Sequence, residues 1–258
     1  MAAGAGLPPL AAGNLLLCSL QRVMSTAGCR ADRTPQPQAT GPALNANGTE
    51  SDTILLSRII LKLLIAANRL YCRLMFRVNI PSIPPLPASG PVLLVSDHSS
   101  LTDPVVLFAT ADRPIRFLMA REFYDLPSLH WLFRLTGCIP VSRGHFEVGP
   151  VRAMLHALTE GGVVGIFPEG GINRYRKEEG YEGIGFVALK SGAPVVPASI
   201  IWDRPRPANL LRAMLTPARA IVRYGTPIVF SHGTGDSHDE ARAATDRILQ
   251  AIRELRDQ

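Results

Sequence analysis

The chain has 258 residues, 47% hydrophobic and 19% charged, which is enough for one well-buried core and an appendage. Its formal net charge is +6, and only three of its 27 cationic residues are lysine. A basic surface suits anionic partners, but no basic stretch interleaves with aromatics and no nucleic-acid module is recognisable, which argues against nucleic acid. The four cysteines, Cys18, Cys29, Cys72 and Cys138, form no C-x-x-C pair and have no histidine at metal-ligand spacing. The expectation is therefore free thiols, no disulfide framework and no bound metal.

Residues 1–52 are rich in Ala, Gly, Pro, Thr and Asn and lack apolar periodicity, so they read as a disordered leader. Leu15–Leu20 is too short to span a bilayer, and no acidic residue occurs before Asp32. That composition is compatible with an organelle transit peptide and equally with a plain leader.

Residues 53–80 form the second segment. From Ile54 to Arg77 it carries Arg58, Lys62, Arg69, Arg73 and Arg77 and no acidic residue. At 100° per residue the five cations fall in an arc of roughly 100°, and the remaining circumference is largely apolar. Ser51 or Asp52 can cap its start, and Pro81 lies just past its end. Such a helix suits a bilayer surface, with cations at lipid phosphates and the apolar side in the acyl boundary. The alternative is a helix packed on the body with solvated arginines. The interfacial reading places the protein peripherally or monotopically on the cytoplasmic face of a membrane, with membrane lipids as partners.

Residues 81–258 alternate β-type runs with helical patterns, which predicts an α/β domain with a mostly parallel mixed sheet flanked by helices. Expected strands are Val92–Ser96, Arg116–Met119, Ile139–Ser142, Val163–Phe167, Val195–Ile200 and Ala220–Tyr224. Expected helices are Pro104–Thr110, Glu122–Leu135, Val148–Thr159, Gly183–Lys190 and His238–Leu255. Ligands gather at strand ends in such sheets.

Four strand-end segments carry candidate chemistry. His98 and Asp103 stand in an H-x4-D arrangement after the first strand. A turn there can bring the carboxylate to one imidazole nitrogen and leave the other free to accept a proton. Asp followed by Pro104 is also a common helix start, and capping is compatible with orienting the imidazole. Arg143 follows Ile139-Pro140-Val141-Ser142 and can grip a phosphate, or simply be solvated. Phe167-Pro168-Glu169-Gly170 ends another strand with a carboxylate and a glycine, so Glu169 can bind a hydroxyl and Gly170 lets backbone N–H groups approach a ligand. Val196-Pro197-Ala198-Ser199-Ile200 is an apolar strand broken by proline, expected to expose an edge or pocket wall.

In this order the four segments resemble the glycerolipid acyltransferase family, the lysophosphatidate acyltransferases in particular. The likeness covers roughly residues 90 to 202, with Arg121-Glu122-Phe123 opening the second block. It implies His98 as base, Asp103 as its partner, Arg143 on the acceptor phosphate, and Glu169 with Gly170 binding the acceptor. The implied donors are acyl-CoA or acyl carrier protein as co-substrates, with no metal or prosthetic group. The family usually has Thr or Ser and then Arg after Pro-Glu-Gly; here Gly171 and Ile172 stand there, and Arg174 is the nearest cation. Lysophosphatidic acid is thus the simplest acceptor, with another lysolipid as alternative. A non-catalytic lipid-binding membrane protein is the reading from a different class.

Overall fold

The computed structural model describes residues 47–79, 85–142, 148–168, 182–231 and 237–258. Among them, helix α1 (Asn47–Met75) is followed by strand β1 (Val92–Ser96), α2 (Asp103–Thr110), β2 (Ile115–Ala120), α3 (Arg121–Tyr124) and α4 (His130–Leu135). Then come β3 (Ile139–Val141), α5 (Val148–Thr159), β4 (Val163–Ile166), α6 (Glu182–Ser191), β5 (Val195–Trp202), α7 (Leu210–Leu215), β6 (Ala220–Tyr224) and α8 (His238–Asp257). The strands make one sheet in the order β3-β2-β4-β1-β5-β6, parallel except for the antiparallel edge pair β5–β6. This is the mixed, mostly parallel α/β architecture expected from the alternation.

Strand β1 is buried at all five positions, the pattern of a central parallel strand covered on both faces. Its neighbours are β4 and β5; the chain runs on from β1 to β2 and from β4 to β5, in opposite directions along the sheet, so a crevice opens at the carboxyl ends of β1 and β4. Register brings Val95 beside Ile166 and Ser96 beside Ala198. The residues just beyond β1 therefore emerge between those just beyond β4 and the second half of β5.

Several local expectations change. One helix was expected over Glu122–Leu135, but two short ones form with Asp125–Leu129 between them. Pro127 lacks an N–H and disfavours helical backbone at the residue before it. Proline in β5 does not expose an edge: Pro197 is buried in a strand paired on both sides. Val195 exchanges both backbone hydrogen bonds with Ile228, and the Pro197 carbonyl accepts from Gly225 N. The missing N–H thus faces the break in the β6 ladder, where no partner is lost. Helix α7 was not anticipated, although Asn209 caps it by accepting from Arg212 N at 3.0 Å.

Helix α1 ends earlier than Pro81 suggested. Arg77 adopts φ 45°, and Val78 N reaches back six residues to Cys72 O at 3.2 Å, which closes a left-handed cap. Its last turns belong to the core: Cys72 and Phe76 are fully buried with Val92, Leu94 and Ile200. Tyr71 donates its hydroxyl to Met214 O, and Asn68 donates to Val105 O. Burial pushes the Cys72 thiol up to about 12, which leaves it unreactive.

The cations of α1 do not share one role. Arg69 turns toward the body, donating to Ala109 O at 3.1 Å and Ala111 O at 2.9 Å, so it satisfies the carboxyl end of α2. Lys62 and Arg73 remain exposed. Beside them lie exposed Leu55, Leu56, Ile59, Ile60, Leu63, Leu70 and Leu74, which span an arc of about 140° at 100° per residue. Among the described residues, no helix is long and apolar enough to cross a membrane.

The division of labour among the cations is measurable by denaturant unfolding. Arg69→Ala should lower the unfolding free energy by about 1–3 kcal/mol, because two buried carbonyls lose a charged donor. Arg73→Ala should stay within about 0.5 kcal/mol of the native protein.

Candidate active site

Six residues, Asp97 to Thr102, turn the chain from β1 into α2. Asp103 opens that helix fully buried, and its carboxylate organises the turn. Oδ2 accepts from Ser99 N and Ser100 N, both at 2.7 Å, and meets His98 Nδ1 at 3.0 Å. Two backbone N–H groups already point at Oδ2, so the imidazole donates from Nδ1, and its lone pair lies on Nε2. The other carboxylate oxygen accepts from the indole N–H of Trp202 at 2.8 Å. Asp103 therefore does more than start a helix: it holds one tautomer and one orientation of His98.

The imidazole face is packed as well. His98 stacks on Phe167 with centroids 4.3 Å apart, and Phe167 stacks on Phe117 at 5.6 Å. Gly165 permits this arrangement. A Cβ there would come within 2.5 Å of the Phe117 ring, which rests directly against the β4 backbone. The Phe-Pro-Glu-Gly segment thus contributes an aromatic, Phe167, to the site.

A second buried carboxylate adjoins the first. Asp97 accepts from Ile200 N and from the Ser199 hydroxyl, each at 3.0 Å, tying the end of β1 to β5. Burial drives its pKa upward, and the two hydrogen bonds offset part of that rise. A cavity of about 450 Å³ opens over these groups, with Asp97, His98, Ser99, Trp202 and the arginines 204, 206 and 256 on its walls. Arg204 is held by neighbouring Asp203, while Arg206 lies over the Trp202 ring.

Of the residues singled out from sequence, His98 and Asp103 are brought together as expected. Arg143, Glu169, Gly170 and Arg174 lie outside the described residues, as do Gly171 and Ile172. Sequence reasoning assigned no role to Trp202, Phe117 or Asp97. Trp202 closes an apolar strand of a parallel sheet, and that position at a carboxyl end was the available signal. Among the described residues, no cluster of three or more His, Cys, Asp or Glu side chains is placed to hold a metal, and Cys72 and Cys138 are free thiols.

Residues 77–201 match the family model described as Acyltransferase. Uncharacterized proteins of Mycobacterium tuberculosis and Mycobacterium bovis are 29% identical over 177 residues, 62% of this chain and 46% of theirs. The chain thus spans about half the length of the curated relatives it matches. Its fold is similar to the crystal structure of PlsC, the 1-acyl-sn-glycerophosphate (LPA) acyltransferase of Thermotoga maritima. That likeness has a TM-score of 0.56 and 19% identity, over 83% of this chain and 85% of the other, and speaks for the fold.

Asp97 gives the site a pH signature. A carboxyl group whose pKa is raised by folding favours the fold below its unfolded value of about 3.9 and loses that contribution as pH climbs through the folded value. Asp97→Asn keeps an acceptor for Ile200 N and can donate to Ser199 Oγ. Its melting temperature relative to the native protein should therefore rise between pH 4 and pH 8; a difference independent of pH would show that Asp97 is buried without penalty.

Proposed function

We propose, from the match of residues 77–201 to the Acyltransferase family model and the resemblance of the four strand-end segments to glycerolipid acyltransferases, that the chain moves a fatty acyl group from acyl-CoA or acyl carrier protein to the free hydroxyl of lysophosphatidic acid, giving phosphatidic acid. The observation that carries this reading is the oriented imidazole: Nδ1 is committed to a buried carboxylate, and the ring lines the cavity. In the reaction, Nε2 of His98 takes the proton of the acceptor hydroxyl as that oxygen attacks the thioester carbonyl. The carbon–sulfur bond breaks, the acyl group stays on the acceptor oxygen, and the imidazolium returns its proton to the departing thiolate. Asp103 faces the imidazolium throughout, which stabilises the charge formed there. No covalent acyl-enzyme is needed, since the acceptor supplies the nucleophile. Arg143, and Glu169 with Gly170 and Arg174, are assigned to the acceptor and its phosphate through the family resemblance.

Helix α1 has three stripes. One face packs on the body, one carries Lys62 and Arg73, and one exposes leucine and isoleucine. We assign the third to the acyl boundary of an anionic bilayer and the second to its headgroups, which puts the cavity next to lipid substrates. Replacement of lysophosphatidic acid by another lysolipid is the second reading, favoured by Gly171-Ile172 where the family has Ser or Thr and Arg.

Two measurements test the proposal. Thiol release from a long-chain acyl-CoA should require lysophosphatidic acid and fall by about 10²–10⁴ in His98→Ala. Release without acceptor would make the enzyme a thioesterase, and release only with other lysolipids would move the acceptor. Separately, the Ile59→Asp, Leu63→Asp double variant should fail to co-sediment with phosphatidylglycerol vesicles yet keep its melting temperature. Unchanged co-sedimentation would remove α1 from the membrane contact.

A further inference from the structure

Resting on that transferase reading, we infer that Trp202 is a positioning residue of the reaction, acting on His98 through Asp103. The two oxygens of Asp103 are unequally served. Oδ2 faces three N–H groups, whereas Oδ1 has the Trp202 indole as its one partner among the described residues. The torsion that turns a carboxylate about its Cβ–Cγ bond is broad and weakly restrained by itself. Contacts to Oδ2 alone allow the plane to swing about that oxygen; a second contact on Oδ1 stops it. The direction in which Oδ2 faces His98 Nδ1 is therefore set from the far side of the carboxylate, 99 residues away along the chain.

The indole is held for that task. Its ring meets Phe76 edge-on, with centroids 5.2 Å apart and planes at 88°. The Arg206 guanidinium lies 4.6 Å from the indole centroid and 5.1 Å from that of Phe76. Arg206 donates to Ala213 O and to Thr216 O through Nη2, while its buried Nε and Nη1 have no hydrogen-bond partner. A half-buried cation with two buried, unpartnered nitrogens is expensive to hold unless something nearby compensates it. Here the compensation is the pair of aromatic faces, helped by the carboxylates of Asp203 and, less strongly, Asp103. The cation also draws electron density from the indole, which makes its N–H a stronger donor to Oδ1. Phe76 is in turn seated by Tyr71, at 5.3 Å and 81°. The end of α1 thus reaches the catalytic pair through Phe76 and Trp202.

Two replacements at position 202 test this. Trp202→Phe removes the N–H and keeps an aromatic ring; 3-benzothienylalanine, installed by stop-codon suppression, keeps the bicyclic shape and puts sulfur in place of the N–H. Both should lower kcat about tenfold to a hundredfold, the effect of a lost hydrogen bond to a charged group, and leave KM for acyl-CoA and for lysophosphatidic acid within about twofold. The low-field proton resonance of His98 Nδ1–H, identified by its absence in His98→Ala, should move in both variants. That resonance reads the positioning even if the wild-type protein turns over no lysophosphatidic acid, so failure of the transferase reading and failure of this one are distinguishable. Native kcat and an unmoved resonance in the benzothienyl variant would overturn the inference, as would a loss confined to KM.

Discussion

A fully buried carboxylate is tolerated only when its charge is met on all sides, and Asp103 is met by four donors from two parts of the chain, the turn after β1 and the end of β5. Two come from the backbone of the preceding turn, one from the imidazole, one from the indole at the end of β5. This demand shapes the molecule around it. The turn after β1 must present its N–H groups inward, β5 must run long enough to place Trp202, and α2 must begin at residue 103 itself. The same arrangement leaves His98 with a single productive tautomer. Stability and chemistry depend on one group, because satisfying the charge and aiming the imidazole are the same set of contacts.

The aromatic packing has a similar double effect. Phe117 lies against a strand backbone that only glycine leaves open, supports Phe167, and through it the face of His98. On the other side Phe76, Trp202 and Arg206 hold the indole that meets Asp103. The imidazole is thus restrained by stacking on its face and by hydrogen bonding at its edge, and little rotational freedom is left to it. Helix α1 takes part in this because its final turns are core and not appendage. The face proposed to meet lipid and the face that supports the site belong to the same helix, separated by less than half its circumference.

Most of the architecture was legible in the chain itself. Apolar runs of four to eight residues alternating with longer periodic segments are dictated by burial of a parallel sheet under helices, and all six strands begin and end within two residues of expectation. The pairing of His98 with Asp103 was legible for a related reason: only four residues lie between them, so a single turn decides their distance. What failed locally failed on competing constraints. Pro127 broke a helix that hydrophobic periodicity favoured, and the cap at Arg77 ended α1 before any proline did.

Roles that depend on distant contacts were not legible. Arg69 reads as one of five equivalent cations along a helix, and only the fold shows that it completes the end of α2. Pro197 reads as a break, and only the gap in the neighbouring ladder explains why a buried strand accepts it. Trp202 reads as the last apolar residue of a strand, and its bond to Asp103 spans 99 positions. The sequence by itself determined the elements, the sheet class and the local His98–Asp103 pair, because these follow from periodicity and from turns a few residues long. The tertiary structure alone decided which side chains restrain that pair. Strand order is fixed by how β1, β4 and β5 pack together, and no linear spacing encodes which strand end will lie beside a carboxylate buried a hundred residues earlier.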